Sequence, residues 1–148
     1  MSIYIHKSHN VSVLIYHLVF PTKYRRIVID KKVDRKIRVT CLEIAKRYEL
    51  HFLEIGTDND HVHFLVQSVP KWDVTRIVRT IKSLTAKHVF IDMPELKEEL
   101  WGSNLWSSGY YASTVGKHGN ETAIGRYVKQ QGKEKEYNQV HKDQLVLL

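Results

Sequence analysis

Apolar positions along this chain repeat with two different periods, and the changes between them mark out its elements. Val11 to Phe20 (Val-Ser-Val-Leu-Ile-Tyr-His-Leu-Val-Phe) is β-branched and aromatic and stops at Pro21, which predicts a buried strand. From about Asp30 to Tyr48 the apolar residues Val33, Ile37, Cys41, Ile44, Ala45 and Tyr48 recur at helical spacing, so an amphipathic helix is expected. His51 to Gly56 reads as a second strand and Thr57-Asp58-Asn59-Asp60 as a turn. A third strand follows, opened by His61-Val62-His63 and closed by Pro70. Asp73 suits the first turn of a helix running to about Phe90, with Val74, Ile77, Val78, Ile81 and Leu84 inward and Arg76, Arg79, Lys82 and Lys87 on the opposite face. Pro94 to Leu100 suggests a short helical turn, and Leu105 to Val115, with Trp106, Tyr110 and Tyr111, a fourth strand. Gly116 to Asn120 reads as a connector, and a last helix is expected from about Glu121 to Gln131.

Strand, helix, strand, strand, helix, strand is the split βαβ order of an α+β, ferredoxin-like sandwich with an antiparallel sheet. The C-terminal helix is an addition to it. RNA-recognition modules share the layout, so fold alone leaves function open. With 148 residues, no internal repeat and no low-complexity tract, a single domain is expected. Its core spans about 11–131, followed by a tail at 132–148.

Charge narrows the partner. Lys and Arg number 23 against 16 for Asp and Glu, a net charge of +7, which favours a polyanion. No basic amphipathic helix points to a membrane, so nucleic acid leads. Cys41 is the only cysteine, so an intramolecular disulfide is impossible and an intracellular location is expected. Met1 to Lys7 lacks a signal-peptide layout, and no apolar run approaches ~18 residues, so no membrane span is expected.

The candidate chemistry starts at His61 and His63. Strand side chains alternate faces, so the two imidazoles project to one side while Val62 points to the other. Two imidazoles can share a divalent metal and leave coordination positions open, as a catalytic site requires. In a basic protein this suggests phosphodiester chemistry, with the ion polarising a non-bridging oxygen. A nucleophile is still needed. Tyr127 and Gln131 lie at i and i+4 on the last helix and share a face: a phenol for covalent attack on phosphorus and an amide oxygen for the metal. Spacing alone does not choose Tyr127 over Tyr110 or Tyr111.

Four segments in order resemble the HUH endonuclease superfamily, and within it the single-tyrosine transposases of the TnpA type, including those associated with repetitive palindromes. They are Tyr16-His17-Leu18-Val19-Phe20 with Lys23-Tyr24-Arg25-Arg26, His61-Val62-His63-Phe64-Leu65-Val66, Leu105 to Tyr111 with Thr114-Val115-Gly116, and Tyr127-Val128-Lys129-Gln130-Gln131. The resemblance implies Mg²⁺ or Mn²⁺ on His61 and His63, completed by Gln131. It implies that Tyr127 cuts single-stranded DNA at hairpin-flanked ends, keeps the 5′ phosphate and releases a 3′ hydroxyl. It further implies a homodimer with the tyrosine helix docked in trans, working in the cytoplasm of a prokaryotic cell.

For DNA contacts, Lys23, Arg25 and Arg26 can grip phosphates and Tyr24 can stack on an unpaired base, with Arg79 and Lys82 as further cations. His9, His17, His51, His88, His118 and His141 lack a partner at ligand spacing and are expected to be structural, as are Trp72, Trp101 and Trp106. Three rivals remain. A histidine-triad hydrolase needs another histidine at the next same-face position, which is Leu65. A non-catalytic RNA- or DNA-binding module has no use for the histidine pair. A domesticated palindrome-specific nuclease would keep the chemistry without mobilising an element.

Overall fold

The computed structural model describes residues 4–100 and 104–115; Trp101, the 116–120 connector, the expected helix with Tyr127 and Gln131, and the tail at 132–148 lie outside the described residues. In chain order the elements are β1 (Ile5–His6), β2 (Val11–Ser12), β3 (Leu14–Pro21), α1 (Lys31–Tyr48), β4 (His51–Thr57), β5 (His61–Ser68), α2 (Val74–Asp92), α3 (Leu96–Glu99) and β6 (Tyr111–Thr114). Strands β4, β5, β3 and β6 form one antiparallel sheet in that spatial order, which is the ferredoxin-like arrangement expected from the element order.

Both long helices start where a carboxylate can cap them. Val33 N–H donates to Asp30 Oδ1 at 2.9 Å and Arg76 N–H to Asp73 Oδ1 at 2.7 Å, each satisfying one of the amides a helix N-terminus leaves unpaired. The apolar stripes then fold onto one face of the sheet. Val33, Ile37, Cys41 and Ile44 of α1, with Ile77, Val78, Ile81 and Val89 of α2, bury Leu18, Phe20, Phe52, Ile55, Val62, Phe64 and Val66. Burial also pushes the Cys41 thiol far above its ordinary value, which leaves it inert. No helix among the described residues is long and apolar enough to cross a membrane.

Two expected strands come out differently. The run from Val11 to Phe20 divides at Val13, because Val11–Ser12 leaves the main sheet to pair with Ile5–His6. A tight turn permits this, with Lys7 N–H donating to Asn10 O at 2.8 Å. The fourth strand is limited to Tyr111–Thr114 rather than Leu105 to Val115. Leu105 and Trp106 instead turn into the core, where the Trp106 indole N–H donates to Thr85 Oγ1 at 2.9 Å and its ring meets Phe20 edge-on. An indole that finds a buried acceptor gains more than it would at a solvated sheet edge.

One irregularity shapes the site. The β4–β5 register shifts between Phe52 and Glu54, so Leu53 is an extra residue and the alternation of faces restarts after it. Phe52 and Ile55 therefore both face the helices. Glu54 and Gly56 fall opposite Leu65 and His63, on the other side of the sheet.

Candidate active site

The face away from the helices carries the histidines. His61 opens β5 opposite Pro21, and His63 follows two residues later opposite Val19 and Gly56. Their side chains are 29% and 33% exposed, whereas Leu65 and Gln67 farther along the same strand face are buried. Alternation of side chains thus brings the predicted pair to an accessible patch near one end of the sheet.

Each ring is held by a different device. His61 Nδ1 lies 2.8 Å from Asp60 Oδ1. With Nδ1–H given to that carboxylate, the Nε2 lone pair is left for another partner. Asp60 is itself gripped by Arg25, whose Nε and Nη2 are each 3.2 Å from Oδ2. The bond from His61, and then Arg25, hold the Asp60 carboxyl below its usual range. His63 lies across β4 over Gly56, and its Nδ1 is 3.9 Å from the buried Glu54 carboxyl. Burial keeps the His63 imidazole below its ordinary value, and neighbouring His17 and His61 push the same way. It is therefore poised as the neutral ring a metal requires.

His17 enters this group although the sequence pattern marked it as structural. It lies on β3 opposite Ser113 of β6, and its ring sits 6.0 Å centroid to centroid from both His63 and Tyr111. Burial lowers its pKa too. Only the β3–β5–β6 register joins these residues. A same-face count on β3, taken together with that register, is the signal that finds His17.

These residues suit a divalent metal: two imidazoles on one face, one with its Nδ1 committed to a carboxylate, the other in a cradle that a Cβ at Gly56 would fill. No group of three His, Cys, Asp or Glu side chains among the described residues gathers for a metal. The pair supplies two donors, and the rest must come from elsewhere, as an open catalytic site requires.

The predicted basic turn lies at the same end of the sheet. Lys23–Arg25 forms one 3-10 turn in which Tyr24 and Arg25 adopt left-handed φ of 57° and 52°. The Thr22 N–H donates to Asp60 O at 2.9 Å, and the Thr22 hydroxyl lies 2.7 Å from Arg26 O. The turn is thereby stitched to the residue that orients His61. Tyr24 projects into solvent with Lys23 Nζ 5.2 Å from its ring centre, and Arg26 is exposed. Beside the turn, a groove of about 460 Å³ is lined by Lys23, Arg79, Lys82, Trp106, Ser107 and Tyr110 among others. Arg79 is exposed there. Lys82, expected as a further DNA-contacting cation, has its ammonium donating to Ser107 O at 2.8 Å and Gly109 O at 3.0 Å, pinning the segment that leads into β6.

Comparison with known proteins finds relatives over most of the chain. The family described as "Transposase IS200 like" matches residues 10–131. The ISDra2 transposase TnpA of Deinococcus radiodurans is 32% identical over 116 residues, covering 78% of this chain and 82% of the relative. The transposase of insertion sequence element IS200 from Salmonella typhimurium is 29% identical over 116 residues, covering 78% and 75%. Among solved structures, a candidate transposase from Deinococcus radiodurans superposes with a TM-score of 0.68 at 29% identity, covering 86% of this chain and 98% of that one. A REP-associated tyrosine transposase bound to a REP hairpin shares the fold, with a TM-score of 0.56 at 11% identity, over 95% of this chain and 78% of that one.

Proposed function

Since the chain belongs to the IS200-like transposase family, we propose that it cuts and rejoins single-stranded DNA at hairpin-flanked ends through a 5′-phosphotyrosine at Tyr127. The observation that carries this reading is the histidine pair: His61 and His63 on one accessible strand face, with Asp60 committing the His61 Nδ1 and the basic turn bound to that same aspartate. His61 and His63, with Gln131, would hold Mg²⁺ or Mn²⁺, which supplies Lewis-acid stabilisation of charge on the scissile phosphate.

In the cleavage step the Tyr127 phenol oxygen forms a bond to phosphorus as the bond to the 3′ oxygen breaks. The phenolic proton passes to water, and water returns a proton to the departing 3′ oxygen, which leaves as a hydroxyl. Rejoining is the reverse attack by a 3′ hydroxyl, so the bond energy is conserved and no nucleotide cofactor is needed. Lys23, Arg25 and Arg26 would hold phosphates of a strand crossing the histidine face, Tyr24 would stack on an unpaired base, and Arg79 would extend the cationic surface along the groove. Lys82 lines that groove as well, with two of its donors already engaged. A homodimer, with the tyrosine helix of one subunit serving the histidines of the other, belongs to this proposal.

The test incubates the full chain with labelled single-stranded palindromic DNA, with Mg²⁺, with Mn²⁺ and with chelator, and resolves the products on a denaturing gel. A metal-dependent covalent adduct at Tyr127, absent from Tyr127→Phe while hairpin binding persists, is the expected result. Tight binding without an adduct in either metal, on DNA containing the element's own ends, overturns the catalytic reading in favour of a binding module.

A further inference from the structure

Strand β4 carries no residue to which the sequence pattern gave a part in the site, yet two of its side-chain positions meet His63. A Cβ built on Gly56 would lie 2.1 Å from His63 Nε2 and 2.4 Å from Cε1, far inside van der Waals contact. The half of the ring that carries Nε2 therefore occupies space that any other residue at position 56 would fill. Glu54 sits two residues earlier on the same face, 3% exposed, with Oε1 3.9 Å from His63 Nδ1. A carboxyl oxygen 3.9 Å away on that side of the ring favours the tautomer with hydrogen on Nδ1, because it attracts an N–H and repels a nitrogen lone pair. Asp60 does this for His61 at 2.8 Å.

We infer that Glu54 and Gly56 are positioning residues for the metal site. Gly56 provides the space in which the His63 ring lies, and Glu54 selects the tautomer that leaves Nε2 free. The bulge at Leu53 makes this possible, since uninterrupted alternation from Phe52 would turn Glu54 toward the helices. Both histidines then present Nε2 with Nδ1 facing a carboxylate, one supplied by the preceding residue and one by the neighbouring strand. This rests on the metal reading proposed above.

The experiment compares the full-length chain with Glu54→Ala, Glu54→Gln, Gly56→Ala and His63→Ala. Mn²⁺ affinity is measured by electron paramagnetic resonance, and histidine tautomers in the metal-free protein by long-range ¹H–¹⁵N correlation spectra. Loss of an outer carboxylate typically weakens a metal site by about 10–100-fold, and that range is expected for Glu54→Ala. Glu54→Gln, which keeps an acceptor, should recover most of the affinity. Gly56→Ala should weaken Mn²⁺ by about tenfold or more by displacing the ring. In the unmutated chain His63 should carry its hydrogen on Nδ1. Wild-type affinity in folded Glu54→Ala and Gly56→Ala, or an Nε2–H tautomer at His63, overturns the inference while leaving the metal reading intact if His63→Ala loses Mn²⁺. Failure of the unmutated chain to bind Mn²⁺ overturns the metal reading instead, and the tautomer spectrum still decides the role of Glu54. Should Glu54→Ala not fold, Gly56→Ala and the unmutated spectrum carry the test.

Discussion

Replacing Lys82 with methionine separates a structural cation from a DNA-binding one. The Lys82 ammonium bridges Ser107 O and Gly109 O, at 2.8 and 3.0 Å, and lies 5.4 Å from the Phe20 ring centre and 5.3 Å from that of Tyr110. Methionine preserves most of the apolar stem, so the change isolates the charge and its two bonds. Hydrogen bonds to a charged group are worth about 1.5–3 kcal/mol each at full strength. Here they are discounted, because the side chain is only partly buried and the ammonium already bears a desolvation cost, which lowers its pKa. A net loss of about 1–2 kcal/mol is expected, with urea unfolding shifted downward by about 0.5–1 M for a domain of this size. Salt dependence of single-stranded DNA binding is the discriminating assay: loss of one phosphate contact flattens the log–log slope by about 0.7. Lys82→Met should lower stability and leave the slope unchanged. Exposed Arg79→Met should flatten the slope with little effect on stability, within about 0.5 kcal/mol. Unchanged stability together with a flattened slope for Lys82→Met would refute the assignment of Lys82 as a pin.

Thr85→Val removes the acceptor of the buried Trp106 indole N–H and should cost about 1–3 kcal/mol, the penalty of an orphaned buried donor; a double-mutant cycle with Trp106→Phe that shows no coupling would contradict this. Burial lowers the pKa of His17, His51 and His63. Just below pH 6.5 the unfolded chain therefore binds more protons than the folded one, and stability should fall as pH drops from about 7 toward 5. Asp60 and Glu49, whose pKa values are lowered by partner bonds, keep their contribution until pH nears about 4. Urea midpoints that rise on acidification from pH 7 to 5 would rule out the histidine assignment.

Both long helices, their starts near Asp30 and Asp73 and the βαββαβ order were legible in the chain because each depends on local spacing: 3.6-residue stripes, a carboxylate near the first turn, and turn residues between alternating runs. His61 and His63 were legible for the same reason, since alternation along one strand places both on one face whatever lies beside it. The N-terminal hairpin was not legible, because Val11–Ser12 reads as strand in either sheet and only its partner decides which. Nor was the inward turn of Leu105 and Trp106, where a buried acceptor on α2 outweighed a sheet-like composition.

Around the histidines the division is sharper. Local pattern determined the pair itself and the basic turn near it. Tertiary structure decided what surrounds them: His17 and Tyr111 brought beside His63 by strand register, Lys82 turned onto backbone carbonyls, and Glu54 moved to the histidine face by one extra residue in β4. The physical reason lies in the range of each interaction. Side-chain direction along a strand or helix is set by its own backbone period, whereas the neighbour across a sheet is set by register, which a single bulge inverts and no local count can supply.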